Sequence, residues 1–85
     1  MKKIVVIEGN GEFAKVLAEQ LANRGMEVSG VTDDGGTGLE YVKQFQPDVV
    51  VVGMVLRSID GFGVLDKLKD LPGRRSVIAV GNFSD

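Results

Sequence analysis

Four consecutive valines, Val49 to Val52, stand between Asp48 and Gly53 in the stretch "QPDVVVVGM". A strand with one wet face alternates apolar and polar residues, so an unbroken β-branched run marks a strand covered on both sides. That condition is met in the middle of a parallel sheet with helices above and below it. Strand three is therefore expected over Asp48 to Met54, and the rest of the chain supplies its partners. "KKIVVIEGN" reads as strand one, bounded by Gly9 and Asn10, "MEVSGV" as strand two and "SVIAVGN" as strand four.

Helical spacing fills the intervals. Phe13, Leu17 and Leu21, with Ala14 and Ala18 beside them, recur at that spacing between Gly11 and Arg24, and Gly25 supplies the stop. "TDDGGTG" is a loop that ends near a cap at Asp34 or Thr37. Leu39, Val42 and Phe45 then mark a second helix, ended by Pro47. Phe62, Val64, Leu65 and Leu68 are the expected inner face of a third, opened by the Asp60-Gly61 turn and closed by "LPG". The order βαβαβαβ predicts an α/β fold of three layers, with four parallel strands joined by right-handed crossovers. A chain of 85 residues suits one small domain. In such a sheet ligands bind beyond the carboxyl ends of the strands. The candidate positions are thus Glu8, Gly9 and Asn10, then Gly53 and Met54, then Gly81 and Asn82.

Composition removes whole classes of function. Ten basic and twelve acidic residues leave a net charge of −2 with no basic stripe, so direct nucleic-acid binding is not expected. Without cysteine or histidine the chain lacks disulfides, thiolate chemistry and the commonest general base, and enzymatic activity is not expected either. The apolar run before Glu8 is too short for a signal peptide, and no run is long enough to span a membrane. A soluble, cytoplasmic protein is the expectation. Arg74-Arg75 reads as a solvated turn, and Asp48 as a residue at the amino ends of the strands, remote from the candidate positions.

"QPDVVVVGMVLRSIDGFGVLDKL" carries a resemblance: the chain is similar to the response-regulator receiver domains, and within them to the receivers of sporulation regulators. The likeness spans all 85 residues. It implies a flavodoxin-like sheet in the order 2-1-3-4 with three helices. It also implies that Gly53 stands at the phosphoacceptor aspartate, Glu8 at the first of two acids after strand one, Gly9 at the second, and Gly81 at the hydroxyl residue after strand four. Arg57 replaces the usual proline. Receivers hold Mg²⁺ with three carboxylates, a hard-oxygen set of which this pattern keeps one. Mg²⁺ binding is accordingly expected to be lost or weak, with Glu8 and Asn10 as its remnant and no other cofactor. The expected molecule is a single truncated receiver-like domain over residues 1–85, without phosphotransfer, that signals through protein partners.

Two other readings compete. Gly9-x-Gly11-x-x-Ala14 follows a strand and opens a helix, with Asp33 and Asp34 further on where a ribose-binding acid would sit, as in dinucleotide-binding modules. The third reading is an inactive or engineered fragment. Strand four, with apolar Val77, Ile78 and Val80, is expected to be a bare edge that supports self-association as a homodimer.

Overall fold

The computed structural model describes residues 1–81. Its elements run β1 (Lys3–Ile7), α1 (Gly11–Asn23), β2 (Glu27–Thr32), α2 (Gly35–Phe45), β3 (Val49–Gly53), α3 (Gly61–Leu68) and β4 (Ser76–Val80). All pairings are parallel and the strand order is β2-β1-β3-β4, the expected α/β arrangement. Val50 and Val52 pair beside Val5 and Ile7, and a register shift between Ile4 and Val5 lets β2 bulge past Ser29.

The valine run sits in the centre because both its faces are covered. Val5, Ile7, Val50 and Val52 point to one side and pack with Leu39 and Val42 of α2 and Val64 and Leu68 of α3. Ile4, Val6 and Val51 alternate to the other side, where Ala14 of α1 is buried. Burying a Val, Leu or Ile side chain is worth about 1.5–3 kcal/mol, so these two layers are the main source of stability.

Side-chain caps fix where each helix begins. Asn10 accepts from the Phe13 amide at 3.0 Å, Asp34 from Thr37 at 2.9 Å and Asp60 from Gly63 at 2.9 Å. Of the two caps expected for α2, Asp34 is the one used. α2 ends with Gln46 in the left-handed region (φ 48°), one residue before Pro47. At the amino ends of the strands, Asp48 Oδ2 accepts from the Lys3 amide at 2.8 Å, while the Asp48 carbonyl accepts from Ser76.

Two expected inner-face residues lie elsewhere. Phe62 is 68% exposed, because α3 begins at Gly61 and turns Val64 and Leu68, rather than Phe62, toward the sheet. Phe13 is 43% exposed, and α1 buries only Ala14 completely, since α1 lies over β1 and β2 and leaves this edge of its face uncovered. On β4, Val77 and Ile78 are exposed, and its outer edge pairs with no strand among the described residues. No helix among these residues is long and apolar enough to cross a membrane.

Candidate functional site

β1 and β3 run side by side, with Ile7 opposite Val52, so Glu8 and Gly53 emerge next to one another at the carboxyl end of the sheet. Glu8 is held from two directions. Its amide donates to the Thr32 carbonyl of β2 at 2.9 Å, and its Oε2 accepts from the Asn10 amide at 2.8 Å. The carboxylate therefore lies at the N-terminus of α1, where unpaired amides favour negative charge. Its other oxygen reaches over β3: a Cβ added to Gly53 would lie 2.5 Å from Glu8 Oε1. Gly53 is buried, and the space its side chain would use belongs to Glu8.

Gly9 shows the same pattern with a stiffer neighbour. A Cβ at Gly9 would collide with the Val55 carbonyl oxygen, a backbone atom of the β3–α3 loop. The loop thus closes against the end of β1. Its Val55 side chain points outward at 83% exposure, and its Met54 carbonyl accepts from the Gly61 amide at 2.9 Å.

On its other flank the loop joins the segment between β2 and α2. The Arg57 amide donates to the Asp33 carbonyl, and the Arg57 carbonyl accepts from the Gly35 amide, each at 2.9 Å, as a short parallel bridge. Ser58 lies in the left-handed region (φ 67°), where a residue with a side chain is strained, and its hydroxyl donates to Asp34 Oδ2 at 2.7 Å. The Thr37 amide, followed by the Ser58 hydroxyl, holds the Asp34 carboxyl below its ordinary range by bonding the charged form. Arg57 and Asp33 also approach to 3.8 Å, but as an exposed pair they add little.

The candidate positions separate accordingly. Glu8, Gly9, Asn10 and Gly81 line one open cleft of about 860 Å³ with Phe13, Met54, Val55 and Val80. Asn82 lies outside the described residues. Asn10 Oδ1 is engaged as the cap of α1 and Glu8 Oε2 on the Asn10 amide, which leaves Glu8, among the described residues, as the single carboxylate beside Gly53. No group of three His, Cys, Asp or Glu residues able to hold a metal ion occurs among the described residues. Gly9 does follow β1, and Gly11 and Ala14 lie in the first turn of α1, but the Asp34 carboxylate is occupied by Thr37 and Ser58. Asp60 is a helix cap, as expected. Sequence reasoning missed Val55 and Ser58. Neither carries a local signal, since each matters through an atom distant in the chain.

The comparisons with known proteins agree with the fold. The family described as the response regulator receiver domain matches residues 4–85. Among curated proteins, the chain is 33% identical over 84 residues to protein-glutamate methylesterase/protein-glutamine glutaminase 5 of Myxococcus xanthus, covering 98% of this chain and 24% of that protein. It is 36% identical over 67 residues to the corresponding protein of Symbiobacterium thermophilum, covering 78% and 18%. The chain thus spans about a quarter or less of these relatives. Among solved structures, the receiver domain of a modulated diguanylate cyclase from Desulfovibrio desulfuricans superposes with a TM-score of 0.85 at 25% identity, over all of this chain and 68% of that one. The response regulator domain of Thermotoga maritima CheB has the same fold, with a TM-score of 0.88 at 21% identity, over 100% and 63%. With the sheet order and the match over residues 4–85 in agreement, the chain belongs to the response regulator receiver domain family.

Proposed function

We propose that this receiver does not accept a phosphoryl group and signals through protein contacts in a fixed conformation. The observation that carries the reading is the buried glycine at position 53, whose side-chain space is taken by the Glu8 carboxylate. Phosphoryl transfer to a receiver needs a nucleophilic carboxylate there, and glycine has none. The donor set also does not fit Mg²⁺, which demands near-octahedral oxygen ligation: among the described residues Glu8 is the one carboxylate at the site and is hydrogen-bonded to Asn10. No cofactor is included in the proposal.

A receiver is a signalling domain, and the methylesterase and glutaminase activities named for the relatives remain with those proteins. Kinship with sporulation regulators rests on the sequence resemblance, carried mostly by residues 46–68, since the relatives named above are methylesterases. A bacterial cytoplasmic setting belongs to the same proposal.

Backbone amide NMR of the chain, titrated with Mg²⁺ and beryllofluoride and separately with NADH, tests the reading. Resonances unmoved by either are expected. Shifts at Glu8, Gly9 and Gly53 with beryllofluoride would contradict it, and shifts at Gly9, Gly11, Ala14 and Asp34 with NADH would make the chain a dinucleotide module instead.

The partner surface favoured here is β4, through edge pairing with a second copy. Val77 and Ile78 are 39% and 51% exposed there. Sedimentation equilibrium is expected to give concentration-dependent dimers that Ile78→Glu dissociates. A monomer at every concentration contradicts this surface.

A further inference from the structure

We infer that the β3–α3 loop is latched closed at both of its flanks, and that the glycine at position 9 is what allows one of the latches to seat. The inference rests on the reading of this site as a silent receiver and names how its conformation is held. At the first flank the Val55 carbonyl lies where a side chain at position 9 would be. An acid at that position, as the family pattern has it, would push the loop away. At the second flank the Arg57 backbone bridges Asp33 and Gly35, and the Ser58 hydroxyl bonds Asp34 Oδ2.

Gly35 makes the second flank close-fitting. A Cβ there would collide with the Ile59 carbonyl and lie 3.0 Å from Val64 Cγ2, so α2 can start against the loop only because its first residue is bare. The strained φ of Ser58 is the sign that this closure is imposed by its contacts, because a left-handed serine persists only where the surroundings hold it. The loop is thus a strut joining the carboxyl end of β1, the start of α2 and the end of β3. Its position is set by Val55 on Gly9 and Ser58 on Asp34.

Gly9 and Gly53 differ in what restoring a side chain would do. At Gly53 the obstacle is the far end of a flexible glutamate, which can swing aside. At Gly9 the obstacle is backbone, so the loop itself must move. Gly9→Ala is therefore the variant that opens the latch, and Gly53→Ala is its control.

The experiment is amide hydrogen exchange and chemical-shift mapping of the chain and three variants, Gly9→Ala, Ser58→Ala and Gly53→Ala. Gly9→Ala and Ser58→Ala are each expected to speed exchange at Ile59 and Gly61 by about tenfold, in line with loss of a contact that suppresses local opening. Each is also expected to shift resonances at the opposite flank, Gly35 for the first and Gly9 for the second. Gly53→Ala should disturb Asn10, through displacement of Glu8, and leave Ile59 and Gly61 exchange unchanged.

Shifts confined to the neighbours of each substitution, with loop exchange unaltered, would overturn the latch. Ser58 is exposed, so its variant keeps the test decisive if Gly9→Ala does not fold. If the chain takes a phosphoryl group from a small donor and both flanks still respond together, the latch is supported and the silent-site reading falls.

Discussion

Asp34 shows how one side chain can join two parts of the site. Its Oδ1 caps α2 through the Thr37 amide and its Oδ2 holds Ser58, and both bonds favour the carboxylate over the acid. Its folded pKa therefore lies below the ordinary aspartate value, so the unfolded chain takes up this proton first as the pH falls. The contribution is complete above that value and is lost as the pH drops through the lower folded value. Asp34→Asn keeps a capping oxygen, since asparagine caps as well as aspartate, but cannot titrate. Urea unfolding from pH 5 down through the acid limb is expected to give a shallower loss of stability for Asp34→Asn than for the parent, with the variant less stable at neutral pH, where it lacks the charge and the second acceptor oxygen, and the two converging in acid. Identical acid limbs would mean that the two hydrogen bonds do not select the ionised form. The cap was legible from Asp34 standing just ahead of helical spacing. The Ser58 bond was not, because it joins residues 24 positions apart through a strained backbone conformation with no local sequence signature.

At the scale of elements, α2 is the informative case. Its first turns contain Gly35, Gly36 and Gly38, a composition that costs about 0.8–1.0 kcal/mol per glycine relative to alanine in a helix interior. Close packing accounts for Gly38, where an added Cβ would lie 2.7 Å from Ile7 Cγ1 and 3.0 Å from Cγ2. Helix propensity and overpacking therefore oppose each other in Gly38→Ala. Overpacking a tight core costs about 1–3 kcal/mol against a gain of about 1, so a net loss of about 1 kcal/mol is expected in chemical denaturation. In an Ile7→Val background, which removes Cδ1, the atom nearest the new methyl, the same substitution should cost less. An equal cost in both backgrounds would contradict the contact. Such packing explains what could and could not be read in advance. Val49 to Val52 identified the central strand because their burial on both faces is written as an unbroken run. Phe62 was misplaced because helical spacing gives a periodicity but not its phase, and the phase of α3 follows from Asp60 capping and Gly61 abutting Met54.

For the molecule as a whole, the sheet order and the three helices follow from alternating strand and helix patterns together with the handedness of crossovers. That logic also brings Glu8 beside Gly53, which made the location of the site readable. Its state was less so. Missing carboxylates can be counted in a sequence, whereas the occupation of their space by Glu8 and by the Val55 carbonyl depends on how a loop settles across neighbouring strands. The central claim is that this receiver is silent, and the most direct measurement is the intact mass of the chain after incubation with Mg²⁺ and a small acyl phosphate. Gly53→Asp and Gly9→Asp/Gly53→Asp should be carried alongside the parent chain. The account predicts no covalent phosphoryl adduct on the parent chain, and none on Gly53→Asp, which lacks the second acid for Mg²⁺. A mass increase of one phosphoryl group on the parent chain would contradict it.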